Sequence, residues 1–208
     1  LAEKFDTIGP LARTVEDAAL AFALLDSTPA PDLTGASLKG TRMLVLETVA
    51  LADLDPAAAQ GFEQALAALA RAGARIDRAP VPAVAEAMDL AGVLFTAECY
   101  GIWGDTIEAN PDVMFAPVRD RFRSGANNSG PDYVAAWQRL DRIRALWADH
   151  SAGYDAVLLP ASPILPPDAA RLLSDPGYFA AENLLSLRNT RIGNLLGLCA
   201  LTLPTGTP

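Results

Sequence analysis

A single histidine and two cysteines are the only soft metal-ligating side chains in these 208 residues, so a zinc-type ligand set cannot be built from them. Cys99 and Cys199 are too few for a disulfide framework, and both are expected to be buried thiols. Basic residues are scarce as well. Sixteen Lys and Arg face twenty-five Asp and Glu, a net charge of −9, which argues against phosphate-backbone binding because that relies on clustered cations. Nucleic acid is therefore not an expected partner. Also missing is any apolar run of about 18 residues, the length needed to cross a bilayer, and the first residues lack the basic and apolar regions of a signal peptide. No membrane contact is expected, and the cytoplasm is the expected location.

What is abundant is apolar: 51% of the residues are hydrophobic and 20% charged, enough to bury the core of one large domain or most of one. The expected class is α/β, a mixed β-sheet core flanked by helices. The Phe5 to Leu25 stretch, FDTIGPLARTVEDAALAFALL, organises the reading. Asp6, Gly9 and Pro10 form a turn, and Thr14 with Asp17 three residues later predicts a capped helix start. Val15, Ala18, Ala19, Phe22 and Leu25 then recur at helical spacing among other apolar residues, which predicts a helix buried on more than one side.

D-T-I-G-P-L-A-R-T-V-E-D-A-A resembles the segment that follows the catalytic nucleophile in the amidase signature family of serine hydrolases. The resemblance implies an amide-cleaving enzyme. An unprotonated lysine would take a proton through a bridging serine from a nucleophilic serine, and an acyl-enzyme would form and be hydrolysed. It implies a small amide substrate and no metal or organic cofactor. The Gly-Gly-Ser nucleophile region, bridging serine and lysine of the family would all precede Leu1, so no catalytic residue is assigned here. The 208 residues read as the C-terminal portion of one amidase signature domain, needing an N-terminal segment of the same domain as their partner. Leu1 as a first residue, and an end inside Pro204-Thr205-Gly206-Thr207-Pro208, also read as an excerpt. The competing reading is a non-catalytic binding or assembly module derived from an amidase domain; a homodimer fits either.

Along the chain, the Pro- and Gly-containing stretch 26–40 predicts an exposed connection. Met43 to Leu46 predicts a strand covered on both faces, Asp55-Pro56 a helix start with Ala59, Phe62, Leu66 and Leu69 inward, and 74–80 a second strand after Gly73. L-K-G-T-R-M-L-V is similar to the segment with which the family re-enters its sheet. A largely apolar helix is predicted over 84–103, interrupted by Glu98, which is expected to be half exposed or hydrogen bonded rather than catalytic. A short helix over 113–122 ends in Arg119, Arg121 and Arg123, and 124–131 is predicted as a loop. From Asp132 a long helix runs to His150, whose position suits the helix dipole better than catalysis.

Ala156 to Leu159 predicts a strand halted by Pro160 and Pro163, with Ser162 a turn serine lacking any G-x-S-x-G elbow. Y-D-A-V-L-L-P-A-S-P resembles the family's strand and exit loop beside the acyl pocket. A flexible section 166–177, one last helix through Leu184 to Leu195, and a closing strand 198–203 complete the expectation. R-N-T-R-I-G-N-L-L-G-L-C-A-L-T-L-P-T-G is similar to the family's closing motif. By resemblance, Arg121 in V-R-D-R-F-R-S-G lies where some members hold a substrate carboxylate, a task that suits a guanidinium fork. Asp6 matches an aspartate that supports the catalytic centre, though capping a turn is an equally open role. Leu187 stands where glutaminase-type members have an aspartate for the substrate amine, which speaks against glutamine as the substrate.

Overall fold

The computed structural model describes residues 2–206. Its sheet has three parallel strands, β1 Arg42–Leu46, β2 Arg75–Ala79 and β3 Ala156–Leu158, in the order β2-β1-β3. As the central strand, β1 is hydrogen bonded along both edges, and its Leu44, Val45 and Leu46 have no exposed surface. A parallel strand buried on both faces needs this unbroken apolar run. Between β1 and β2 runs α2, Pro56–Arg71, started by the Asp55 side chain, which accepts from the Ala57 amide at 2.8 Å. At its end Gly73 takes a φ of +104°, a backbone angle that glycine adopts without steric cost.

The sheet sits between two helical layers. On one face Val45 packs with Phe62 and Leu66 of α2. On the other, Leu46 joins a larger core built from α3 (Pro82–Ala109), α5 (Gly130–Ser151) and α8 (Arg188–Leu196), with Leu94, Leu140 and Leu195 fully enclosed. Between α3 and α5 lie α4, Ala116–Arg123, and a 3-10 turn, Ser124–Asn127. The α/β class is therefore what the chain adopts, and every described strand runs the same way. No helix among the described residues is long and apolar enough to cross a membrane.

Several expectations are corrected. The Thr14 cap forms as expected, its hydroxyl accepting from the Asp17 amide at 3.1 Å, and α1 spans Val15–Asp26. Yet α1 is not enclosed: only Ala23 is buried, while Phe22 is 54% and Leu24 74% exposed, because no described helix or strand packs along it. Cys199 is likewise exposed, unlike the buried Cys99. The stretch 124–131 is not an open loop. Gly125 is buried so tightly against α3 that a Cβ there would collide with the Thr96 carbonyl and the Tyr100 side chain.

The section 166–177 is not irregular either. Asp168 and Asp175 cap two helices, α6 (Ala169–Ser174) and α7 (Pro176–Ser186), accepting from the Arg171 and Tyr178 amides. The last helix is thus two, broken at Leu187. Finally, 198–203 forms no strand: it has no described neighbour to pair with, and Leu201 and Leu203 are exposed. Apolar alternation cannot make a strand without a hydrogen-bonding partner.

Candidate functional site

All three strands end on the same side, and there α8 begins. Asn189 in its first turn is 1% exposed, and its amide nitrogen donates to the Ala50 carbonyl at 2.9 Å and the Pro160 carbonyl at 2.8 Å. Those carbonyls belong to the loops that leave β1 and β3, so one side chain ties together the two loops at the carboxyl edge. Its oxygen accepts from Arg188 Nε at 3.1 Å, and the Arg188 guanidinium reaches the Ala52 carbonyl at 2.6 Å. The loop so held is strained: Val49 has a φ of +63°, which costs a β-branched residue free energy. The Thr48 hydroxyl helps fix it by accepting from the Val81 amide at 2.6 Å.

A second element meets α8 from the amino end of the chain. The turn at 2–6 is wedged between α3, α5 and α8, with Ala2 and Phe5 buried. The Phe5 ring lies 4.3 Å from that of Phe95 and stacks on Trp137 at 5.2 Å. Asn194 donates to the Phe5 carbonyl at 2.7 Å, and Glu98, nearly buried, accepts from the Lys4 amide at 2.8 Å and the Tyr133 hydroxyl at 3.4 Å. Of the two expectations for Glu98, the hydrogen-bonded one holds, and the side chain is buried rather than half exposed. Asp6 closes the turn by accepting from the Ala2 amide at 2.8 Å. Burial, and then the charge of Asp6, push the Cys99 thiol above its ordinary pKa.

Arg121 lies on α4. It lies two residues from each of Arg119 and Arg123, whose guanidiniums are taken up by Asp112 and Asp120 and by Glu108 and Asp120 respectively. Arg121 makes no such pair among the described residues. Its charge is instead felt by Arg191 on α8, a half-buried side chain that donates to the Leu184 carbonyl at 3.3 Å. Burial first, and Arg121 second, lower the Arg191 pKa below the usual arginine value. Three residues separate Arg191 from Asn194, so they share one side of α8. The Asp6 turn is tied to α8 through the Asn194–Phe5 hydrogen bond, whereas no hydrogen bond or ion pair among the described residues joins Arg121 to α8.

The remaining candidates behave as structural groups. Ser162 Oγ donates to the Ile164 carbonyl at 3.1 Å and accepts from its amide, a turn contact. His150 is exposed in the last turn of α5. Leu187 sits at the α7–α8 junction, 45% exposed, its carbonyl accepting from the Arg191 amide at 3.1 Å. Among the described residues no group of three His, Cys, Asp or Glu side chains could hold a metal ion. Asn189, Arg191 and Asn194 were missed as functional candidates. The available signal was polar residues recurring within the apolar pattern of the final helix.

Three parallel strands flanked by helices, with a polar cluster at their carboxyl ends, define an α/β protein. The family described as Amidase matches residues 1–208, and the chain belongs to it. Over 212 residues it is 36% identical to 2-amino-5-chloromuconic acid deaminase of Comamonas testosteroni, covering 99% of this chain and 45% of that protein. A glutamyl-tRNA(Gln) amidotransferase subunit of Cenarchaeum symbiosum is 27% identical over 98% of this chain and 49% of its own length. The chain spans about half the length of the curated relatives it matches. Among solved structures, the glutamyl-tRNA(Gln) amidotransferase subunit of Thermotoga maritima superposes with a TM-score of 0.68 over 94% of this chain and 45% of that one, at 21% identity. Kluyveromyces lactis allophanate hydrolase gives 0.73 over 92% and 33%, at 17% identity, a likeness of fold.

Proposed function

We propose that these residues are the substrate-facing portion of a hydrolase that cleaves a carbon–nitrogen bond in a small carboxylate-bearing compound. The Ser-Ser-Lys triad lies outside the 208 residues. In that mechanism the lysine takes a proton through the bridging serine, and the nucleophilic serine oxygen attacks the carbonyl carbon of an amide-type C–N bond. The bond to nitrogen breaks as the nitrogen receives the proton, and water then hydrolyses the acyl-enzyme. Backbone amides of the nucleophile loop hold the developing oxyanion.

The 208 residues supply position. Asp6, fixed by the wedge of Phe5 and the bond from Asn194, orients a polar side chain of the nucleophile loop. Arg121 holds the substrate carboxylate by its guanidinium fork. The observation that carries this reading is the match to the amidase family along the whole chain, together with the Asp6 turn tied to α8 through the Asn194–Phe5 hydrogen bond. The Comamonas testosteroni relative supports the substrate class, since a muconic acid carries two carboxylates. Leu187 in place of an acid argues against glutamine as the substrate.

The test is ammonia release by the full-length protein and by the 208-residue chain, over a panel of neutral amides, carboxylate-bearing amides and amino-substituted dienoic acids. The full-length protein is expected to release ammonia and the 208-residue chain none above background. Turnover by the shorter chain, or none by the longer, overturns the proposal and in the second case favours a binding module.

A further inference from the structure

Phe115 at the start of α4 and Phe179 on α7 meet edge to face, their ring centroids 5.0 Å apart, and beside this contact the two elements stand open around a hollow. Its volume is about 460 Å3, within the range of roughly 300–1,000 Å3 that small-ligand sites occupy. The walls are mostly apolar, with Pro117 from α4, Leu172 and Leu173 from α6, and Phe179 from α7. Leu173 is 83% exposed and Phe115 49%, so apolar surface here faces water. The α6–α7 wall holds its shape by its own contacts: Arg171 pairs with Asp175 at 3.4 Å and lies 4.1 Å from the centre of the Tyr178 ring. Asp120 also lines the hollow, but its carboxylate is engaged by Arg119 at 3.0 Å and Arg123 at 3.8 Å. Arg121 follows it, one helical turn beyond Pro117 and so on the hollow's side of α4. It makes no ion pair among the described residues.

We propose that the hollow between α4 and the α6–α7 pair is an apolar subsite, taking the ring or branched alkyl part of a ligand whose carboxylate meets Arg121. The substrate class is then an amide that carries both a carboxylate and a bulky apolar group. The carboxylate half rests on the reading of Arg121 as the clamp, whereas the apolar half rests on the walls alone. A ring set against Phe115 and Phe179 withdraws apolar surface on both sides from water and finds edge-to-face partners. A strongly hydrated group would lose its water and gain little from these walls. The hollow thereby sorts substrates by their apolar bulk, and Arg121 by their charge.

The experiment uses the full-length protein and a phenylacetate bearing a para-trifluoromethyldiazirine, which on illumination loses dinitrogen and inserts into whatever lies against its ring. Peptide mapping is expected to find the label within 115–120 and 172–179, displaced by excess phenylacetate and not by the same concentration of acetate. Label confined to other residues, as when a further part of the chain or a second copy fills the hollow, overturns the proposal without needing any variant to fold. So does label in the hollow that phenylacetate fails to displace. Leu173→Asp, at a side chain already exposed, sets a charge in the hollow and is expected to lower phenylacetate affinity at least about tenfold in calorimetry. Unchanged affinity in that variant also overturns the subsite. The underlying reading fails separately. Arg121→Gln is expected to bring phenylacetate down to the affinity of benzyl alcohol, which has the ring without the charge; if it leaves phenylacetate unchanged while the label stays in the hollow, Arg121 is no carboxylate clamp and the apolar subsite stands.

Discussion

Asn189 is the residue on which the carboxyl edge depends most. Both of its amide protons are used on carbonyls of separate loops. Asn189→Ala leaves two buried acceptors without a donor, and urea unfolding of the full-length protein is expected to show a loss of about 2–3 kcal/mol. Asn189→Asp should lose at least as much, since a carboxylate facing two carbonyls cannot donate. A pH effect of known sign belongs to Glu108. The hydrogen bonds from Arg123 hold its carboxyl below the usual glutamate pKa, so its contribution is complete above the unfolded value of about 4.3 and is lost as pH falls through the lowered folded value. Thermal melts from about pH 5 to pH 3 should therefore fall more steeply in the unaltered protein than in Glu108→Gln; equal slopes would contradict the assignment. At this scale the sequence singled out Arg121 but not the way its neighbours Arg119 and Arg123 take up the acids around it. A guanidinium's partner is a three-dimensional fact that residue spacing does not report.

The joint between α3 and α5 is the element that sets the depth of the core. Gly125 allows the 3-10 turn to press on the Thr96 carbonyl, and Asn128 secures it by donating to the Thr96 hydroxyl at 3.0 Å. Gly125→Ala has nowhere to place a methyl group, because the clash is with backbone. A cost of about 1–3 kcal/mol is expected in denaturant unfolding, with α3 moved away from α4. Helix starts were readable here because caps are local: Thr14, Asp55 and the strands after Gly40 and Gly73 stand as the residues predict. Asp168 and Asp175 are caps too, yet their short helices hid within a stretch rich in proline and aspartate. The predicted strand over 198–203 failed for the opposite reason, since strand formation depends on a neighbour that local pattern does not report.

For the whole molecule, the exposed apolar residues of α1 are the main departure from an ordinary globular surface. Val15, Leu20, Phe22, Leu24 and Leu25 lie open on a helix whose sequence pattern is that of a core element. If the full-length protein covers them, amide exchange in α1 is expected to be much slower there than in the 208-residue chain; equal rates would mean that α1 is a surface helix in both. The pattern was therefore legible in the sequence, while what lies against it belongs to no element described. The same division is the one proposed for the chemistry: position from these residues, reaction from others. A fluorophosphonate, which phosphonylates an activated serine, tests that division directly in the full-length protein. Peptide mapping is expected to find the label on a serine outside residues 1–208. Label on Ser162, or on any other serine within them, would contradict the account.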